Sequence, residues 1–192
     1  MSEKRIYTVG HSNRSADEFI ETLHAHEIEV VCDIRSYPKS KKWPHFNSEN
    51  LRAALEGAGI EYVWLGKKLG GWRRNVSGAD AHTAIRSEGF RAYVAHLLSP
   101  EGESGLEELK ELADKRATAC MCAEKLPFRC HRWFLSDFLV LAGFEVVHII
   151  GAKKTQTHTL PPLISLRDGK PAYDKPPQPE LDGLESGLVK TD

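Results

Sequence analysis

Short apolar runs recur along the chain, spaced so that a helix fits between most of them. Ile6-Tyr7-Thr8-Val9, Val30-Val31-Cys32-Asp33-Ile34, Ile60-Glu61-Tyr62-Val63-Trp64-Leu65, Thr118 to Cys122 and Glu145 to Ile150 are rich in β-branched, aromatic or small apolar residues and read as strands. Between them the apolar period lengthens to that of a helix. Ser15-Ala16-Asp17-Glu18 has the form of a capping box, and Phe19, Ile20 and Leu23 follow on one face. Asn47 or Ser48 caps a second helix in which Leu51, Ala54 and Leu55 align, and Gly57 and Gly59 end it. Ser87 to Leu98 is a third helix. A polar break from Ser99 to Gly105 precedes a fourth, Leu106 to Lys115, and Trp133 to Ala142 is a fifth.

Strands alternating with helices predict an α/β fold. The expected architecture is a single domain over residues 1–150. It has a mostly parallel five-stranded sheet with helices on both faces, a Rossmann-like three-layer arrangement. Two basic, aromatic-containing stretches interrupt the alternation, Arg35 to Phe46 and Gly66 to Arg74, and the chain on to about Arg86 keeps no period. Loops this long in a compact domain carry function or stay disordered. Residues 151–173 are expected to be a C-terminal extension with a small hairpin around Asp168-Gly169, and residues 174–192 a flexible tail.

Composition changes this picture little. The 192 residues are 41% hydrophobic and 28% charged, with a net charge of -1, so no global basic field argues for nucleic acid. No apolar run approaches the roughly 18 residues of a membrane span. Met1 to Arg5 lead into a strand pattern without a signal-peptide core, which predicts a cytoplasmic protein whose Cys32, Cys120, Cys122 and Cys130 are reduced.

The polar residues fall where such sheets bind ligands, beyond the carboxyl ends of the strands. Gly10, His11 and Ser12 follow the first strand, Asp33, Arg35 and Ser36 the second, and Glu124, Cys130, His131 and Arg132 the fourth. His11, Glu124, Cys130 and Asp33 are the catalytic candidates. Gly10, Ser12, Arg35, Ser36, His131 and Arg132 are the candidates for holding an anion. Asp33 and Arg35, two apart in an extended segment, form either a structural ion pair or a carboxylate beside an anion clamp. Cys130 is either a thiolate nucleophile activated by a helix start with His131 and Arg132, or a small packing residue. Cys122, Glu124 and Cys130 with His131 or His11 offer a metal donor set of non-standard spacing; no cofactor is required. Lys39, Lys41, Lys42, Arg73 and Arg74 form a solvated face or contact phosphates, and Trp43 and Trp72 beside them suit stacking on a base.

Val9 to Ser15, Asp33 to Ser40, Pro44-His45-Phe46-Asn47, Leu69-Gly70-Gly71, Phe90-Arg91-Ala92-Tyr93, and Cys122-Ala123-Glu124 with Pro127 and Cys130-His131-Arg132 resemble the bacterial and archaeal family named domain of unknown function 488. The resemblance runs from about Ile6 to Ile150. It implies a compact α/β domain with a shared polar site and supplies no reaction. Trp133-Phe134-Leu135-Ser136 depart from the smaller residues usual there. The expectation is an enzyme, hydrolase or group transferase, acting on a small phosphorylated or nucleotide-like substrate. The rivals are a nucleotide or nucleic-acid binding module using the Trp43 and Trp72 loops, and a metal-binding protein using the Cys/His/Glu cluster.

Overall fold

The computed structural model describes residues 4–162 and 164–174. The elements in chain order are β1 (Arg5–Gly10), α1 (Ala16–His24), β2 (Val30–Asp33), α2 (Ser48–Gly57), β3 (Glu61–Trp64), α3 (Gly66–Leu69), α4 (Glu88–Leu97), α5 (Pro100–Lys115), β4 (Thr118–Cys122), α6 (Arg132–Leu141), β5 (Glu145–Gly151), β6 (Lys154–Thr157), β7 (Ser165–Arg167) and β8 (Lys170–Ala172). The main sheet has six strands in the order β3-β2-β4-β1-β5-β6. The first five are parallel and β6 runs antiparallel to β5.

Alternation along each strand divides the core. On one face Ile6, Cys32, Cys120 and Val146 pack against Leu97, Leu109, Leu135 and Leu139 of α4, α5 and α6. On the other, Val9, Val31, Ala119, Met121 and Ile149 pack against Phe19, Leu23, Leu51 and Leu55 of α1 and α2. The central strands are covered on both sides, which is why they read as unbroken apolar runs. The chain leaves β1 and β2 toward the α1/α2 face but leaves β4 toward the α6 face. The end of β4, between those two neighbours, is therefore where the connections part and a crevice opens.

The expected five strands become six. Residues Lys154–Thr157 are all exposed and join the sheet through backbone pairing at its edge, so no apolar alternation marks them. The extension after residue 150 thus adds a strand to the main sheet, and Tyr173 enters the α4/α5/α6 core. β7 and β8 pair around Asp168 and Gly169, both at positive φ. Residues 175–192 of the expected tail lie outside the described residues.

One helix expectation is corrected. Ser99 to Gly105 is no break: α5 starts at Pro100, with Ser99 capping the Gly102 N–H. Gly102 is there because a Cβ would stand 2.1 Å from the His96 carbonyl, so the residue that lowers helix propensity permits the close packing of α4 on α5. Pro127 begins a separate 3₁₀ turn, Pro127–Arg129, and α6 starts at Arg132. The stretch after β3 also holds a single turn, α3, pinned by the fully buried Leu69. No helix among the described residues is long and apolar enough to cross a membrane.

Candidate active site

β1 and β4 bring the first pieces together. Past Gly10 the ladder continues, His11 N–H donating to the Cys122 carbonyl and Ser12 N–H to that of Ala123, each at 2.9 Å. Gly10 has to be glycine because a Cβ would lie 1.8 Å from the Glu124 carbonyl oxygen. Ser12 turns the chain away at φ 56°, its hydroxyl donating to Asn13.

The odd-numbered residues at these strand ends face α1 and α2 and form a closed cluster. Asp33 is fully buried. Its Oδ1 accepts from the Arg35 backbone at 3.0 Å and from Arg35 Nε at 2.9 Å; its Oδ2 accepts from Arg35 Nη2 at 2.6 Å and from the Tyr62 hydroxyl at 2.7 Å. Arg35 Nη2 also reaches the Phe46 carbonyl at 2.9 Å, and Nη1 lies 3.3 Å from His11 Nε2. Arg35 can only donate, so His11 accepts at Nε2 and donates from Nδ1 to the Ser12 carbonyl at 2.9 Å. Burial first and the Arg35 charge second push His11 down to about 4, so it is neutral at pH 7. Its ring stacks on Phe46 with centroids 4.1 Å apart.

The other face holds the thiols. Cys122, at the end of β4, and Cys130, after the 3₁₀ turn, have Sγ atoms 3.0 Å apart. His131 Nδ1 lies 3.5 Å from Cys130 Sγ and 3.8 Å from Cys122 Sγ. The far side of the ring, Nε2, donates to the Ile34 carbonyl at 3.3 Å, which turns Nδ1 toward the two sulfurs. Cys130 Sγ also receives the Arg132 backbone N–H, at the start of α6, at 3.5 Å. Burial opposes ionisation of Cys130, but the Cys122 hydrogen bond, His131 and Arg132 outweigh it and hold Cys130 well below the ordinary thiol range. The same hydrogen bond, with burial, drives Cys122 well above it.

These thiols line a cavity of about 470 Å³ together with Arg35, Ser36, Tyr37, Lys39, Trp72, Phe90, Glu124, Arg129 and His131. Tyr37 and Trp72 stand at its mouth, 74% and 76% exposed, in an edge-to-face pair at 6.0 Å. Ser36 Oγ accepts from the Trp72 N–H and ties the two loops together. Of the residues expected at a common site, Arg35, Ser36, Glu124, Cys130 and His131 meet on this wall. Gly10, His11, Ser12, Asp33 and Arg132 do not line it. Trp43 is packed beside the α1/α2 core, away from Trp72. Of the donors weighed for a metal, Cys122, Cys130 and His131 come within 4.8 Å of one another; His11 is bonded elsewhere, and the Glu124 side chain is exposed outside this triad.

Arg132 is wholly buried and points under the sheet. Its guanidinium donates to the Glu124 carbonyl and, from Nη1, to Thr8 Oγ1 at 3.3 Å. A chain of hydrogen bonds continues: Thr8 Oγ1 to His148 Nδ1 at 2.7 Å, His148 Nε2 to His158 Nδ1 at 2.9 Å, and His158 Nε2 to Asp137 Oδ1 at 2.8 Å. The Tyr173 hydroxyl closes it on Asp137 Oδ2 at 2.6 Å. The guanidinium only donates and the carboxylate only accepts, which fixes the direction of the bonds at the two ends. Burial, then the charges of His158 and Arg132, push His148 down to about 3. Sequence reasoning missed Thr8, Asp137, His148, His158 and Tyr173. The one available signal was a histidine inside the otherwise apolar β5 run.

A family model described as domain of unknown function DUF488 matches residues 15–139. No curated protein and no solved structure matches the chain.

Proposed function

The chain belongs to the family of domain of unknown function DUF488, and from the geometry of the cavity we propose that it is an enzyme, a hydrolase or group transferase, acting on a small phosphorylated or nucleotide-like substrate. The observation that carries this reading is Cys130 Sγ on the cavity wall with His131 Nδ1 beside it and the buried helix-start N–H of Arg132 donating to it. Such a constellation suits covalent catalysis. The Cys130 sulfur attacks the electrophilic centre of the substrate, His131 takes the thiol proton, and the leaving group departs with that proton. Water or an acceptor then displaces the sulfur, with Glu124 on the cavity wall as the carboxylate available to receive its proton. Lys39 and Arg129 are the cations left free for an anionic group, since Arg35 is held by Asp33. Trp72 and Tyr37 offer a ring face or edge to a base or sugar.

The test uses the reduced full-length chain. Inorganic phosphate or a nucleoside monophosphate is expected to protect Cys130 from alkylation, and Cys130→Ser is expected to abolish turnover of phosphorylated compounds by 10³-fold or more while the circular dichroism spectrum is unchanged. Turnover that survives Cys130→Ser ends the reading. A binding role without turnover draws on the exposed Trp72; it predicts that Trp72→Ala weakens nucleotide binding while Cys130→Ser leaves that binding as it was.

A further inference from the structure

The same cavity floor supports a second chemistry. We propose that Cys122 and Cys130 are a redox-active dithiol, which closes to a disulfide when a small hydroperoxide enters the cavity. This rests on the reactive Cys130 of the reading above and on no substrate.

The spacing of the sulfurs is the first ground. At 3.0 Å they need to approach by only about 1 Å to reach the bond length of a disulfide, near 2.05 Å. Two thiolates on one tetrahedral zinc stand about 3.8 Å apart, as follows from Zn–S distances near 2.3 Å. The pair is closer than that spacing.

Asymmetry is the second ground. Cys130 has the helix-start N–H and the nearer imidazole nitrogen, so it is the attacking sulfur. Cys122 ends a strand locked on both sides by β1 and β2, with one sulfur neighbour and the more distant imidazole contact, so it is the resolving thiol.

Access is the third. Both cysteines are on the cavity wall but only 3% and 6% exposed, which admits an oxidant of a few atoms and shuts out a protein thiol. Cys32 and Cys120 are wholly buried in the sheet and do not line the cavity, so they stay reduced.

The steps balance. The Cys130 thiolate attacks the terminal peroxide oxygen. The O–O bond breaks, Cys130 becomes a sulfenic acid, and the alkoxide or hydroxide leaves with the proton that His131 took from the thiol. Cys122 then gives up its proton and attacks the Cys130 sulfur. The S–S bond forms, the S–O bond breaks, and hydroxide leaves with that proton as water. Two thiols and one hydroperoxide yield one disulfide, one alcohol or water, and one further water.

The experiment treats the reduced full-length chain with one equivalent of hydrogen peroxide, blocks remaining thiols and maps peptides without reductant. The expected product links Cys122 to Cys130, leaves two of the four thiols free and reverts fully with dithiothreitol. Cys122→Ser should stop at a Cys130 sulfenic acid that dimedone traps, and should pass to sulfinic acid with excess peroxide. Cys130→Ser should leave Cys122 a thiol. Because the wild-type map decides by itself, a variant that fails to fold does not remove the test. Four free thiols after treatment, a disulfide to Cys32 or Cys120, or a stoichiometric zinc holding both sulfurs in the purified chain would each overturn the proposal. None of these readouts involves a phosphorylated compound, so loss of the enzyme reading and loss of the dithiol are separate results.

Discussion

Two buried polar networks flank the end of β4, and they solve the same problem in opposite ways. On the α1/α2 face Asp33 and Arg35 lie side by side, two residues apart in sequence, with Tyr62 and His11 around them. The opposite charges neutralise each other at contact. On the α6 face Arg132 and Asp137 are separated by a relay of Thr8, His148 and His158, drawn from β1, β5 and the segment after β6. The first network is local and holds one loop. The second spans most of the described chain and clamps its C-terminal part to the turn that carries the thiols. Between them lies the cavity that Cys122 and Cys130 line, and the buried charges of Asp33, Arg132 and Asp137 are its frame rather than its lining.

The largest effect of a single substitution is expected at Asp33. Asp33→Ala strands the buried Arg35 guanidinium and the Tyr62 hydroxyl, and the expected loss is about 3–5 kcal/mol in a denaturant titration. A loss under about 1 kcal/mol would mean that water reaches Arg35 and the cluster is open.

Acid should act on both networks together. His11 and His148 are neutral in the folded chain, held at about 4 and about 3, whereas unfolded histidine titrates near 6.5. The unfolded chain therefore binds more protons below pH 6.5. Stability is full above that pH and falls as pH drops toward 4, by up to about 1.4 kcal/mol per pH unit for each histidine. Replacing His148 by Gln should remove one proton from that slope, and an unchanged slope would show that His148 is already charged when folded.

Tyr173→Phe is the mildest probe. It deletes the hydrogen bond to Asp137 from the end of the long network only, for an expected cost of about 1–2 kcal/mol. Amide exchange should rise in β6 and at Tyr173 and stay fixed around Asp33; a rise around Asp33 would mean that the two faces are coupled.

How much of this could be read beforehand follows from the same contrast. The central strands were legible because double-sided burial leaves apolar runs, and the Asp33–Arg35 pair because its members are neighbours. β6 was hidden because an edge strand needs only its backbone. Placing the polar residues at strand ends correctly put them at one edge of the sheet, but one edge is two faces: His11 and Asp33 alternate away from Cys122. Cys130, His131 and Arg132 show the limit most plainly. Three adjacent residues point to the other thiol, to the Ile34 carbonyl and to Thr8 beneath the sheet, and no pattern in sequence separates those directions. The relay beyond Arg132 joins positions 8 to 173 and leaves no local trace.

β1 sits in the middle of the sheet yet leaves the ribosome well before the strands that flank it. Its partners, β4 and β5, begin at residues 118 and 145. A nascent chain can pair β2 with β3 early, while Ile6 and Val9 wait for more than a hundred residues to be made before they gain strand partners. The apolar strand on which the whole sheet closes is thus the one exposed longest during synthesis, and folding of this domain is in effect completed backwards, from its last strands onto its first.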